Sequence, residues 1–265
     1  MKPKRRWVIK AGSNMVCSGG PLLIRSWMQQ VSQLRKRHGV EVIWVTSGAI
    51  ASATERTDFH KRNRLLSEKQ ALSAIGQPIV MDLYNHALQA VGLLGAQILL
   101  TYDDLADKNR RTCFSNALEK LMAWKVTPVL NENDAVATEE IRFGGNDSLS
   151  AKVAAVSGAD RLVILTDVEG LYDSDPRQNA SARLIPRIPE VTPAILSRVN
   201  RSAGSDRGTG GMYSKLKAAG EAASQGIEAF LVKGDLPSVL LQIAEGRAVG
   251  TQVVAASRKG KRSSR

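Results

Sequence analysis

Apolar residues along this chain come in short continuous runs that alternate with longer stretches of helical spacing. Residues 7–10 form a first β-rich run that stops at Ala-Gly-Ser, and from Pro21 onward Leu23, Trp27, Val31 and Leu34 recur three and four apart. Strand, loop and helix are predicted in that order. Residues 40–46 are apolar except for Glu41 and end at Ser47-Gly48, the pattern of a strand covered on both faces. Ser67 with Gln70 three residues on fits a capping box that opens a helix reaching Gln89, with Gly76 and Pro78 expected to kink or divide it. Further strands are predicted at 97–100, 126–130, 161–166 and 228–232. Between them lie helical segments: one at 112–124, one running to Ser157 with Asn146 or Asp147 as its cap, and one behind the glycine turn at 208–211 that sets Met212, Leu216, Ala219 and Ala223 on one face. Short pieces at 237–243 and 251–254 complete the alternation.

Strands alternating with helices, with no internal repeat and no linker-like stretch, predict an α/β fold built on an open, mainly parallel sheet covered on both faces. Ligands of such sheets bind beyond the carboxyl ends of the strands. Polar residues and glycines collect at five of those ends: Lys10-Ala-Gly-Ser, Thr46-Ser-Gly-Ala, Asn131-Glu-Asn-Asp, Thr166-Asp and Lys233-Gly-Asp. A site shared among them is expected.

Composition narrows the classes. With 43% hydrophobic and 23% charged side chains, 265 residues are enough to fold as one large domain or two small ones. The longest apolar stretch, 91–100, is broken by two glycines and a glutamine and falls short of the roughly 20 residues that span a bilayer. The apolar run after the basic N-terminus is stopped by Lys10, so a secretory h-region is missing and a cytoplasmic location is expected. Cys17 and Cys113 lack partners at metal or disulfide spacing and read as free thiols.

The net charge of +12 points at first to an acidic partner such as nucleic acid. Nine of those charges lie in residues 2–6 and 258–265, which leaves about +3 for the rest, so nucleic-acid binding is disfavoured. A cluster of Arg56, Lys61, Arg62 and Arg64, offset by Glu55 and Asp58, reads as a solvated loop first and an anion site second.

The candidate chemistry lies in the strand ends and glycine turns. Gly12-Ser13 after a strand, and Gly208-Thr209-Gly210-Gly211 before a helix, can turn backbone N–H groups toward phosphate oxygens. No Walker A loop and no dinucleotide fingerprint occurs, position 213 being Tyr where a third glycine would fall. Lys10 and Lys215 are the cations best placed to neutralise phosphate. Asp134, Asp147 and Asp167 are able to bind an ammonium, position lysines or hold Mg²⁺, and helix capping explains Asp147 equally well by itself. The three histidines have no metal spacing and no nucleophile elbow surrounds Ser13 or Ser47, which sets aside zinc and triad chemistry. A phosphoryl-transfer site of lysines, glycine loops and carboxylates remains.

The motifs themselves carry a resemblance. Val8-Ile-Lys-Ala-Gly-Ser, Val45-Thr-Ser-Gly-Ala-Ile-Ala, Lys69-Gln-Ala-Leu, Gly76-Gln, Asn131-Glu-Asn-Asp-Ala-Val-Ala-Thr, Asn146-Asp-Ser-Leu-Ser-Ala, Leu165-Thr-Asp, Gly170-Leu-Tyr, Asp175-Pro-Arg and Gly208-Thr-Gly-Gly-Met follow one another in order. They resemble the glutamate 5-kinases, a group within the amino acid kinase family, from residue 7 to about residue 254. The resemblance implies a three-layer αβα sandwich around a mainly parallel sheet of about eight strands. It implies one kinase domain over 1–257, with glutamate on the N-terminal half and ATP on the C-terminal half, followed by a basic tail at 258–265. The activity implied is ATP-dependent phosphorylation of the L-glutamate γ-carboxylate to L-glutamyl 5-phosphate, the first step toward proline.

Carried onto this chain, the resemblance makes Lys10 and Lys215 the lysines that neutralise the transferring phosphoryl group, oriented by Asp147. Gly12 and Ser13 offer donors to it. Ser47, Gly48 and Ala49 match the loop that holds glutamate, while Asn131, Asp134 and Asn146 match residues that read its ends. Thr166 and Asp167 match nucleotide contacts, and Thr209, Gly210, Gly211, Met212, Tyr213, Ser214 and Lys215 the segment closing over the ATP phosphates. ATP and Mg²⁺ are the implied cofactors, with no metal-ligating residue assigned in the chain. Two unit charges at about 4 Å repel by about 4 kcal/mol at an effective dielectric near 20, so bringing a carboxylate to a triphosphate demands such cations. Proline as a feedback inhibitor acting near residues 56–77, a homodimer or homotetramer, and a transient contact with glutamate-5-semialdehyde dehydrogenase are further implications.

Two departures stand out: Gly145 replaces an acidic residue that many relatives carry, which bears on glutamate affinity and amine recognition, and the chain stops where many relatives append a PUA domain, so that it reads as the single-domain form. Relatives that phosphorylate aspartate, N-acetylglutamate or carbamate lack the run at 131–134, and a silent nucleic-acid-binding relative has no use for Lys10, Asp147 and Lys215.

Overall fold

A strand buried along nearly its whole length sits at the middle of the sheet: β1 (Arg5–Ala11), paired in parallel with β2 (Val40–Val45) on one side and β5 (Arg161–Thr166) on the other. The computed structural model describes residues 5–60, 64–137, 145–202 and 211–256. Among them β3 (Gly95–Leu100), β4 (Thr127–Glu132), β6 (Arg187–Ile188), β7 (Glu228–Lys233) and β8 (Thr251–Val253) complete one eight-stranded sheet in the order β3-β4-β2-β1-β5-β7-β8-β6. Every named pairing is parallel except β7 with β8. Because β2 to β4 lie on one side of β1 and β5 to β8 on the other, the strand order reverses at β1, where open α/β sheets form their ligand crevice.

Helices cover both faces, as the unbroken apolar strands require. On one face α1 (Ser13–His38), α3 (Leu66–Gln89) and α9 (Val239–Ala244) bury Trp27, Tyr84 and Leu240 against Trp7, Ile9 and Trp44 of the sheet. On the other, α5 (Lys108–Ala123), α6 (Gly145–Val156) and α8 (Met212–Ser224) bury Leu118, Leu149 and Leu216 against Val8, Ile43 and Leu162. Each such aliphatic burial contributes about 1.5–3 kcal/mol. The short α2 (Ala49–Arg56) packs on α3, α4 (Tyr102–Ala106) leads into α5, and α7 (Pro193–Ser202) lies by α8.

The two-residue period of β1 has a direct consequence. Trp7, Ile9 and Ala11 face the α1 side, so Val8 faces α6 and α8, and Lys10 and Arg6 share its face. Arg6, at the far end, donates to Glu41 at 2.9 Å, Glu119 at 2.5 Å and the Ser157 carbonyl at 2.6 Å. Lys10, at the carboxyl end, is left to the site.

Several elements differ from their predicted forms. The first helix begins at Ser13, not near Pro21; it is broken at Gly20, whose φ of 55° and ψ of −159° leave the helical region. Pro21 thereby starts a new first turn, where a missing N–H costs nothing. The helix entering at Leu66 is not capped by Ser67 and Gln70: the Glu68 carboxylate accepts from the Leu65 N–H at 2.8 Å. Gly76 and Pro78 do not divide it. Gly76 is a packing notch, since a Cβ there would stand 1.7 Å from the Ala49 carbonyl oxygen. Asn146 and Asp147 are not caps but lie within the first turn of α6, which frees their side chains. β6 and α7 were not predicted: Ile195, Leu196 and Val199 of α7 do recur at helical spacing, while β6 is two residues long and exists through its pairing with β8. No helix among the described residues is long and apolar enough to cross a membrane.

Candidate active site

Parallel registry brings the strand ends to one rim. Lys10 stands opposite Val45 and Ile164, Leu99 opposite Asn131, and Thr166 opposite Lys233. The ladder continues one step beyond the strands through Thr46 N–H to the Leu130 carbonyl at 2.8 Å and Gly234 N–H to the Thr166 carbonyl at 2.9 Å.

At the centre, Asp147 is held between two lysines. Its Oδ1 lies 2.5 Å from Lys10 Nζ and its Oδ2 3.6 Å from Lys215 Nζ, and Ser214 Oγ donates to Oδ2 at 2.8 Å. All three charged residues are buried, Asp147 at 1% exposure, Lys10 at 4% and Lys215 at 8%. Burial pushes the Asp147 carboxyl upward, but the ammonium groups of Lys10 and Lys215 outweigh it and hold the group below the usual carboxylate range. For Lys10, burial dominates and lowers its pKa, Asp147 opposes, and Lys215 adds to the lowering. Gly12 adjoins this cluster: a Cβ added there would stand 3.5 Å from Lys10 Nζ.

Three helices start at this rim behind glycines. Gly12, Gly48 and Gly211 are the N-caps of α1, α2 and α8, and none has a side chain that caps the first turn. By contrast, α4 and α5, at the β3 edge of the sheet, are capped by Thr101 and Asp107, whose side chains accept from Asp104 and Arg110 N–H groups. Uncapped N–H groups at a helix start suit an oxyanion. Ser13 is exposed at the first position of α1. In α8, Met212 packs against the core while Tyr213 is exposed. Thr209 and Gly210 lie outside the described residues.

The acceptor side is a cluster of amides. Asn146 Nδ2 lies 2.7 Å from each of the Thr46 carbonyl, Ser47 Oγ and Asn131 Oδ1, so its two hydrogens serve three acceptors. Asn131 Nδ2 donates to Gln77 Oε1 at 2.7 Å, and Ser73 Oγ donates to Asp134 Oδ2 at 3.2 Å. The Asn146 side-chain oxygen, Oδ1, is buried and has no donor among the described residues. Gly48 holds a φ of 102°, and a Cβ there would meet Cys17 Sγ and Val16 at 3.4 Å, so the loop from Ser47 to the buried Ala49 lies tight on α1.

On the other half, Thr166 is buried and donates to Asp167 Oδ1 at 3.0 Å, while Asp167 is exposed. Lys233 pairs with Asp235 at 3.3 Å. Of the basic cluster, Arg64 is turned inward, donating to Thr54 Oγ1 at 3.0 Å and the Phe59 carbonyl at 2.9 Å, so it closes its own loop; Lys61 and Arg62 lie outside the described residues.

Thr46, Ser73, Gln77 and Tyr84 belong to this region; Ser73 and Tyr84 were not singled out from the sequence, and Thr46 and Gln77 entered only within motifs, with no role assigned. Thr46 Oγ1 donates to the Tyr84 hydroxyl at 3.0 Å. The available signal was Ser73 and Gln77, a polar pair four apart on a helix face otherwise made of Leu72, Val80 and Tyr84, all of them buried. Among the described residues no three His, Cys, Asp or Glu side chains gather into a metal-binding group. Asp147 is already engaged by two lysines, so a divalent ion here fits an anionic ligand's own oxygens better than a protein cage. The arrangement can bind and neutralise a polyphosphate beside a small polar acceptor.

Comparison with known proteins agrees with this geometry. The model of the amino acid kinase family matches residues 5–233. A glutamate 5-kinase of Chromobacterium violaceum is 43% identical over 258 residues, covering 96% of this chain and 69% of the relative. One from Deinococcus radiodurans is 42% identical over 254 residues, covering 94% and 69%. Among solved structures, the isopentenyl phosphate kinase product complex of T. acidophilum superposes with a TM-score of 0.64 at 17% identity, covering 94% of this chain and 99% of that one. UMP kinase from Bacillus anthracis gives 0.62 at 17% identity, covering 97% and 98%. These two show the fold: an αβα sandwich on a mainly parallel sheet, as the sequence resemblance implied.

Proposed function

The chain belongs to the amino acid kinase family, among the glutamate 5-kinases, and we infer from its site how it carries out that reaction. It transfers the γ-phosphoryl group of ATP to the γ-carboxylate of L-glutamate, giving L-glutamyl 5-phosphate and ADP, the first step of proline biosynthesis. A carboxylate oxygen attacks the γ-phosphorus as the bond to the ADP oxygen breaks, and no proton has to move, because the nucleophile is already ionised at neutral pH. The observation that carries this reading is the buried Lys10–Asp147–Lys215 group at the strand where the sheet order reverses.

Lys10 and Lys215 neutralise the charge of the transferring group, and Asp147 holds them at fixed spacing. The uncapped starts of α1 and α8, at Gly12, Ser13 and Gly211, receive phosphate oxygens, and Thr166 and Asp167 contact the nucleotide. Ser47, Gly48, Ala49, Asn131, Asp134 and Asn146 hold glutamate, with the donorless Asn146 oxygen and Asp134 assigned to its ammonium. Mg²⁺ arrives with ATP and shields its phosphates. The arrangement supports an N-terminal acceptor half and a C-terminal nucleotide half that meet at β1. Within the same reading we assign proline as feedback inhibitor to residues 56–77, a homodimer or homotetramer as the working form, the cytoplasm as the compartment, and a transient hand-over of the labile acyl phosphate to glutamate-5-semialdehyde dehydrogenase.

The test is formation of the γ-hydroxamate from L-glutamate, ATP, Mg²⁺ and hydroxylamine, with aspartate and N-acetylglutamate as controls. A signal selective for glutamate is expected. No signal from any acid, in folded protein that binds ATP, overturns the reading.

A further inference from the structure

Directly ahead of Asn146 and Asp147 stands Gly145, with a φ of 49° that other residues rarely adopt. Its carbonyl accepts a hydrogen bond from the Tyr102 hydroxyl at 2.9 Å. Tyr102 comes from the opposite margin of the sheet's acceptor half, where edge strand β3 turns into α4. That corner is well fixed: the Asp104 carboxylate accepts from the Thr101 N–H at 2.6 Å and from Thr101 Oγ1 at 2.8 Å. The Tyr102 ring packs against the core and under Lys152 of α6, whose Nζ lies 4.6 Å from its centroid. Burial raises the phenol's pKa against a hydrogen bond with the Ser148 side chain of α6, and Glu132, Glu221 and Asp147 add to the rise, so the hydroxyl stays protonated and remains a donor.

We propose that Tyr102 is a positioning residue for the acceptor: by holding the Gly145 carbonyl it sets the first turn of α6 and so the aim of the Asn146 amide. Asp147 needs this less, being tied independently to Lys10 of β1 and to Ser214 and Lys215 of α8. Among the described residues the Asn146 side chain is tied to Thr46, Ser47 and Asn131, through one amide group divided among three oxygens. Gly145, with its left-handed backbone, opens α6 directly ahead of Asn146, and the tyrosine holds its carbonyl. The expected effect of its loss is therefore on glutamate binding and not on phosphoryl transfer. This inference rests on the assignment of the Ser47, Asn131 and Asn146 cluster to glutamate.

Tyr102→Phe keeps the ring and its contact with Lys152 and removes only the hydroxyl. Steady-state kinetics of the hydroxamate reaction should show the glutamate KM raised about five- to tenfold, the size expected for one lost hydrogen bond, with kcat and the ATP KM within about twofold. Amide hydrogen exchange should quicken at residues 145–147 while the rest of α6 keeps its protection. A glutamate KM that stays at the wild-type value overturns the positioning role, as does a loss of kcat in step with the melting temperature, which marks a purely structural contact. A wild-type chain that turns over no glutamate overturns the acceptor assignment itself, and Tyr102's part in it.

Discussion

Lys10 of the central strand and Asp147 of the first turn of α6 meet at 2.5 Å in a setting where both are almost wholly buried. Strand periodicity places Lys10 on the α6 face, and burying an ammonium there is costly without a partner. Asp147 supplies it. The carboxylate is also shared with Lys215, so two ammonium groups converge on Asp147. Two buried ammonium groups brought to one point suit an incoming anion, and we read the group as a phosphoryl site on that ground.

Lys215→Ala removes the cation that lies farther from Asp147 and leaves the Lys10–Asp147 pair in place. Turnover is expected to fall by about two orders of magnitude or more, the scale of a lost transition-state charge contact, with a melting temperature within about 3 °C of wild type. Single-turnover kinetics beside a thermal melt decide it. A variant that turns over at the parental rate takes Lys215 out of the mechanism.

Asp147→Asn leaves two buried lysines without their carboxylate, and at neutral pH the chain should lose about 3–5 kcal/mol, the usual cost of breaking a buried pair. The pH dependence follows from the depressed carboxyl. Its stabilising effect is complete above the unfolded value of 3.8 and fades only as pH falls through the lower folded one. Urea titrations of both proteins should therefore differ by a constant amount from pH 7 to about pH 5 and converge below pH 3.8. A gap that closes between pH 7 and pH 5 contradicts the depressed carboxyl.

Asp134→Ala tests the other half. Asp134 follows β4 on the loop that Ser73 anchors at 3.2 Å, on the acceptor side of β1. If it takes the ammonium of glutamate, the KM for glutamate should rise at least tenfold, as for a lost charge-assisted contact, while that for ATP stays within about twofold. Equal rises in both KM values refute the assignment.

How far the sequence reached depends on how local each signal is. Lys10, Ser47, Asn131 and Thr166 were legible because a parallel sheet forces the ends of its strands to one rim, so a polar residue ending an apolar run announces the site, whereas Asp147, in the first turn of α6, read equally well as a cap and took its role from the resemblance. The fold class followed from the same alternation. Gln77, Ser73 and Tyr102 were given no role because their roles depend on which helix lies against which loop, and no periodicity encodes that. Gly76 and Pro78 misled in a consistent way: intrinsic propensity says both break a helix, but here tertiary packing overrides it, and the glycine serves contact between helices.

That contact gives the last test. Ala49 opens α2 directly behind the Ser47-Gly48 loop, and Gly76 lets α3 come so close that a Cβ would lie 1.7 Å from the Ala49 carbonyl oxygen and 2.6 Å from its carbon. Neither atom belongs to a flexible side chain, so Gly76→Ala has to push α2 and α3 apart. Overpacking of this kind costs about 1–3 kcal/mol, or a fall in melting temperature of roughly 2–4 °C per kcal/mol for a chain of this size. The displacement falls on the glutamate loop, so the KM for glutamate should rise by more than that for ATP. Gly92→Ala is the control: its φ of 71° strains an alanine, but nothing lies within 4 Å of the added Cβ. It should lower the melting temperature and leave both KM values alone. A Gly76→Ala protein that is destabilised yet keeps the parental glutamate KM would separate the α2–α3 contact from acceptor binding.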